Sequence, residues 1–116
     1  MSTTKEVLDN HLKSFFAGDL EAVLADYEPG AVFFVPGGPL VGVDAIRPCF
    51  VALLAEFAKP VATFRLVEQH VHGDGAYILW TAETADNRHE FATDTFVIRD
   101  GRIRVQSFGG LKRPKA

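Results

Sequence analysis

The chain has 116 residues, 47% hydrophobic and 23% charged, with a formal net charge of -3. That is an ordinary soluble globular balance, and enough chain for a single domain over residues 1–116 with a substantial core. Nucleic acid finds no basic run beyond Arg99, Arg102 and Arg104, no apolar run nears membrane-spanning length, and a lone Cys49 excludes an intrachain disulfide or a Cys-rich metal site. The N-terminus lacks a cationic segment followed by an apolar core, so a cytoplasmic protein is expected.

Thr3-Thr4-Lys5-Glu6 fits a capping box with Thr3 as N-cap. Val7, Leu8, His11, Leu12, Phe15 and Phe16 follow at helical spacing, and Gly18 closes the helix. Asp19 caps a second short helix carrying Leu20, Val23 and Leu24, which stops near Tyr27, before Pro29-Gly30. Ala31 to Val35 predicts a short strand, broken by Pro36-Gly37-Gly38-Pro39. Asp44 is the expected N-cap of a third helix with Ile46, Phe50, Leu53, Leu54 and Phe57 on one stripe, ended by Lys59-Pro60. Cys49 falls in its interior and is expected to be a buried, inert thiol. The rest predicts four strands, Val61 to His72, Ala76 to Ala85, His89 to Arg99 and Arg102 to Phe108, with Lys112 to Ala116 as a frayed tail. Three helices and one early strand, then an antiparallel meander, make an α+β fold with helices on one face of a curved sheet. Such a sheet leaves a conical cavity on the helix side.

Asp100-Gly101, between two runs rich in β-formers, is the strongest hairpin signal. As a two-residue loop it sets Arg99 against Arg102. By alternation it puts Ala92, Asp94, Phe96 and Ile98 on one face, opposite Ile103, Val105 and Ser107. That row is apolar except for Asp94 and Ser107, its expected partner. Thr93, Thr95, Val97 and Arg99, with Arg102, Arg104, Gln106 and Phe108, make the other face, solvated or subunit-facing. Upstream, a three-residue Asp86-Asn87-Arg88 loop matches Ile78 with Phe96, Trp80 with Asp94 and Ala82 with Ala92. A two-residue loop would set Thr81 against Asp94 and spoil the apolar match, so the three-residue register is expected.

The first helix ending in Ala17-Gly18-Asp19-Leu20, then Tyr27, Ala31 to Val35 and a Pro-Gly break, resembles the nuclear transport factor 2-like superfamily. So do Gly42-Val43-Asp44-Ala45-Ile46 and the closing Thr95 to Ile103 hairpin. That superfamily includes ketosteroid isomerases and SnoaL-like polyketide cyclases. The resemblance implies a cone-shaped α+β barrel, three N-terminal helices on a curved, mainly antiparallel sheet, and a homodimer packed through the outer sheet face. Ketosteroid isomerase uses an aspartate base, with a tyrosine and a protonated aspartate as oxyanion hole. Position by position, Asp94 matches the protonated aspartate, His11 stands in place of the tyrosine, and Val35 in place of the base. Valine accepts no proton, so the chain departs from that mechanism at its base.

Asp94 and His11 are therefore the candidate catalytic pair, the first as acid or hydrogen-bond donor and the second as base. Each also has a structural alternative as a satisfied buried polar group. Tyr27, Val35, Trp80, Phe96, Phe15 and Phe50 are the expected pocket lining, although such residues also serve as plain core. His70 and His72 share a strand face: a three-residue turn at Gly73-Asp74-Gly75 sends His70 to the cavity, a two-residue turn sends Gln69 and Val71 there. His89, at a turn, is expected to be solvated. No metal or cofactor is expected. Two readings follow: an isomerase, cyclase or dehydratase moving protons next to a carbonyl, or a non-catalytic module that binds an apolar, ring-containing ligand or dimerises.

Overall fold

The computed structural model describes residues 2–115. Helix α1 spans Thr4–Phe16, α2 Leu20–Ala25 and α3 Val43–Ala58. Strand β1 spans Tyr27–Val35, β2 Gly38–Val41, β3 Thr63–His72, β4 Gly75–Glu83, β5 Asn87–Arg99 and β6 Arg102–Pro114. The six strands form one sheet in the order β2-β1-β6-β5-β4-β3. β1 runs parallel to β6 while every other neighbouring pair is antiparallel, so the sheet is mixed but mainly antiparallel. The α+β class is as expected, but β2 and β3 remain edges, so the curved sheet does not close into a barrel.

Local signals placed the helices well. Thr3 accepts the Glu6 N–H at 3.1 Å while Glu6 accepts the Thr3 N–H at 2.8 Å, completing the capping box. Asp19 accepts the Ala22 N–H at 3.1 Å to start α2. α3 is capped by Gly42 instead of Asp44, whose carboxylate lies in the first turn, where it favours the positive end of the helix dipole. The Pro-Gly break turns out to be the two-residue turn of a hairpin, with Val35 opposite Gly38, which makes β2 a strand that Gly and Pro had disguised. Of the expected frayed tail, Lys112 to Pro114 continue β6, with Lys112 opposite His89 and Arg113 opposite Arg88, while Ala116 lies outside the described residues.

Bulges decide which side chains face the helices. Asp100 and Gly101 take positive φ of 54° and 76°, the twist a two-residue hairpin requires, and Arg99 faces Arg102 as predicted. Beyond Ile98 and Ile103, however, Arg104 is an extra residue on β6, and Val97 pairs with Val105. A bulge reverses the alternation that follows. Asp94 therefore pairs with Phe108 and Phe96 with Gln106, while Ser107 pairs with Thr95 and turns to the outer face with Val105. β4 is slipped by two residues from the expected register, with Ile78 opposite Asp94 and Trp80 opposite Ala92, which preserves the inner face. A second bulge, at Glu90 on β5, brings His89 inward against Ala82 and Lys112.

The core lies between the helices and the concave sheet face, where Leu8, Val23, Ile46, Phe96 and Ile103 are fully buried. Gly110 shows how closely β5 and β6 approach: a Cβ there would lie 2.5 Å from the Phe91 carbonyl oxygen and 2.9 Å from Ala92 Cα. Gly110→Ala must push backbone aside, so it is expected to cost about 1–3 kcal/mol. Thermal unfolding checks this; a melting temperature equal to wild type would show that the two strands part freely.

Candidate functional site

A pocket of about 790 Å³ opens between α1, α3 and the concave sheet face. Its volume is that of a small-molecule site. Phe15, Val35, Phe50, Trp80 and Phe96 all line it, as do Phe33 and Phe108, so the aromatic rings wall the space instead of filling it. Tyr27, expected on that wall, is not part of the lining; it is buried behind it. Cys49 lines the pocket and is half-buried, not fully buried as expected. Burial, reinforced by the charge of Asp94, raises its thiol pKa, so it stays protonated and a poor nucleophile.

Asp94 sits on this wall from the middle of β5. The Trp80 indole N–H donates to Oδ2 at 2.9 Å, and the Gln106 amide donates to Oδ1 at 2.9 Å. Gln106, placed on the outer face by simple alternation, takes the partner role expected of Ser107 because the Arg104 bulge turns it inward. Burial raises the Asp94 pKa above its ordinary value; the two hydrogen bonds and nearby His11 pull it back only in part.

His11 points inward from α1, as its helical spacing predicts, and is buried. Its Nδ1 lies 3.0 Å from an Asp26 carboxylate oxygen and its Nε2 lies 3.3 Å from the Tyr27 hydroxyl. That hydroxyl donates to the Gln106 side-chain oxygen in a very short bond. Asp26, His11, Tyr27, Gln106, Asp94 and Trp80 thus form one chain, buried from His11 onward, and His11 meets Asp94 only through Tyr27 and Gln106. With the phenol proton committed to Gln106, the Tyr27 oxygen accepts from Nε2, and Nδ1 faces a carboxylate. Both ring nitrogens are thus taken up by protein side chains, and neither is left free for a ligand. Burial, with Asp94 next, raises the Tyr27 pKa well above its ordinary value and keeps the phenol protonated.

A second polar cluster lines the same pocket, made of residues that sequence reasoning missed or misplaced. His89, expected to be solvated, is 5% exposed because the Glu90 bulge turns it inward. Its Nε2 lies 2.9 Å from Glu56 Oε2, which also accepts the Thr84 hydroxyl at 2.6 Å. The ring packs against Phe57 at 5.8 Å and Trp80 at 5.4 Å. Burial raises the Glu56 pKa, but hydrogen bonds from Thr84, Asn87 and His89 together outweigh it, and the net shift is downward. The one sequence signal was a carboxylate set between Leu53 and Phe57 on the α3 stripe.

Residues 8–106 match the family described as SnoaL-like domain. The chain belongs to this family. No curated protein matches it significantly. Among solved structures it is similar to a putative polyketide cyclase from Sinorhizobium meliloti (24% identity, 89% of this chain and 93% of that one, TM-score 0.72). It is also similar to SalBIII, an epoxide hydrolase/cyclase-like enzyme with a role in pyran ring formation in the polyether salinomycin (16%, 93% and 90%, TM-score 0.79). A third is a nuclear transport factor 2-like protein of unknown function from Cytophaga hutchinsonii (10%, 96% and 92%, TM-score 0.78). At these identities the likeness establishes the fold.

The remaining candidates lie outside the pocket of this SnoaL-like domain. Gly73-Asp74 forms a two-residue turn with His72 opposite Gly75, the register that sends Gln69 and Val71 to the face of Ala76 and Ile78. His70 and His72 therefore face away from the cavity, and His70 pairs with Glu68 at 2.9 Å on the surface. Among the described residues no three His, Cys, Asp or Glu side chains gather as a metal site. Two of the arginine row are tied to carboxylates, Arg99 to Asp74 and Arg104 to Asp100, both at 2.9 Å. No helix among the described residues is long and apolar enough to cross a membrane.

Proposed function

We propose that this SnoaL-like domain binds a small, largely apolar ring compound and that Asp94 donates a hydrogen bond to its carbonyl or phenolic oxygen. One observation carries the reading. Both Asp94 oxygens already accept from protein donors, Trp80 and Gln106, while burial favours the protonated carboxyl. The acid proton then has no protein acceptor assigned to it and turns to the pocket, where the walls are mostly apolar. Such a donor polarises a carbonyl for proton transfer at the neighbouring carbon, the step shared by isomerases, cyclases and dehydratases. The polyketide cyclase and cyclase-like enzymes of this fold make that chemistry the first to test. A non-catalytic ligand carrier is the second reading, supported by Val35 at the position the superfamily resemblance gives to a base.

Trp80, the sole tryptophan, is the natural reporter because its indole touches both Asp94 and the pocket. Titration with phenols, cyclic enones and fused-ring ketones is expected to change its fluorescence. A bound compound at a hundred times its dissociation constant should add about 2.7 kcal/mol of stability. Binding should be lost in Asp94→Ala. If no compound in the panel binds, or if binding survives Asp94→Ala unchanged, this reading is wrong. Deuterium exchange next to the carbonyl of a bound ketone separates the enzyme from the carrier.

A further inference from the structure

We propose that His89, oriented by Glu56 and Thr84, is the proton-accepting base of the pocket, a role that neither Val35 nor His11 can fill. The inference rests on the reading that the pocket takes an apolar ring compound, and it supplies the missing half of an acid–base pair. Four observations converge on it. His89 lines the same pocket as Asp94. Its Nε2 lies 2.9 Å from Glu56 Oε2, so in the neutral ring that nitrogen carries the proton and donates to the carboxylate. Glu56 is in turn fixed by the Thr84 hydroxyl at 2.6 Å, and Thr84 by the Asn87 N–H at 3.0 Å. Nδ1, by contrast, makes no side-chain hydrogen bond among the described residues. The one fully buried side-chain nitrogen or oxygen without a partner there is Arg104 Nε, so Nδ1 reaches accessible surface, and the space beside this ring is the pocket.

A carboxylate that fixes the tautomer of an imidazole and leaves its other nitrogen bare is the arrangement that makes histidine a base. The position relative to the acid is also suitable. Trp80 donates from its edge to Asp94 at 2.9 Å, while its ring centre lies 5.4 Å from that of His89. Base and acid are thus set around one indole, on which a flat ring could lie. Glu56 comes from α3, Thr84 from the end of β4 and His89 from beside the β5 bulge, so a site assembled from three elements serves one imidazole. If burial of the carboxylate were its sole purpose, a second donor to Glu56 would suffice and the free nitrogen would have no use.

The test uses the full chain and a nitro-substituted benzisoxazole, a flat apolar carbon acid that reports a base without knowledge of the natural substrate. Nδ1 takes the proton from the ring carbon; the C–H electron pair completes the nitrile, the N–O bond breaks, and its pair leaves on the phenolate oxygen. The imidazolium then returns the proton to solvent. The wild-type protein should accelerate formation of the coloured phenolate above buffer. His89→Ala and His89→Gln should each lose about 10²-fold or more of that acceleration. Glu56→Gln should lose a smaller factor, since it keeps an acceptor but not the charge. His89→Gln still offers Glu56 a donor, so it should stay folded and still show a thermal shift with the probe. Nitrogen-15 spectra of the neutral wild-type ring should show Nε2 protonated and Nδ1 bare. A bound probe that turns over no faster than in buffer, a His89→Gln protein as fast as wild type, or an Nδ1–H tautomer would each overturn the assignment while leaving the pocket reading intact. Failure of the probe to bind at all overturns both.

Discussion

Trp80→Ala should destabilise the protein by about 3–5 kcal/mol, the range for deleting a large buried aromatic side chain. That is a large part of the roughly 5–15 kcal/mol that holds a native domain together. The indole is 6% exposed and packs against Phe57, Phe64, His89 and Phe108 with ring centres 5.4 to 6.4 Å away. Its removal also leaves Asp94 Oδ2 without its donor. Trp80→Phe separates the two effects. It keeps most of the aromatic packing, so its cost should be well below that of alanine. It still deletes the N–H, and with it one of the interactions that favour the charged carboxyl, so the Asp94 pKa should rise further. Urea unfolding followed by circular dichroism measures both variants, since neither retains tryptophan fluorescence. A loss below about 1 kcal/mol for Trp80→Ala would mean that the wall closes over the gap, contrary to the usual cost of a rigid cavity.

The fold was legible because its signals are local. Thr3 with Glu6, Asp19, Gly18 and Asp100-Gly101 each act within four residues, and each appears in the structure where the sequence put it. The inner face was legible as far as alternation holds, which made Asp94 a wall residue without any three-dimensional knowledge. Alternation fails at a bulge, and nothing in Ile103-Arg104-Val105 or His89-Glu90-Phe91 announces one. Bulges arise where the strongly curved sheet must fit the helices above it, a demand of the whole assembly. They hid Gln106 and His89, which sit one on each side of the stretch that alternation described well. The pairing of His89 with Glu56 was harder still, because it joins positions 33 residues apart on different elements. What the sequence concealed was therefore the polar half of the pocket, while its apolar wall was largely in view.

Asp94→Ala and Asp94→Asn should differ sharply, and the difference should depend on pH. Alanine leaves the Trp80 indole N–H and the Gln106 amide N–H, both buried, without acceptors. Each orphaned group costs about 1–3 kcal/mol at any pH. Asparagine behaves as a permanently neutral acid. Its oxygen accepts from Trp80, and its amide can donate to Gln106 once that side chain rotates to present its own oxygen. The Gln106 amide then donates to Tyr27, and the Tyr27 hydroxyl turns to His11 Nε2, which must now accept, so the bonds of the chain reverse with a switch of the His11 tautomer. In the wild-type protein the folded-state Asp94 pKa lies above its unfolded value. Between the two, the native state holds a proton that the unfolded chain has released, so stability falls as pH rises through that window and levels off above the folded value. The window opens at about pH 4, the ordinary aspartate value. Subtracting the pH dependence of Asp94→Asn from that of wild type isolates this one group and should give a downward slope. Ligand affinity should begin to decline where that slope ends, as pH rises through the folded-state value, because only the protonated carboxyl can donate. A flat or rising difference would mean that native Asp94 is an anion, in which case it could accept a proton from a ligand but never donate one to its oxygen.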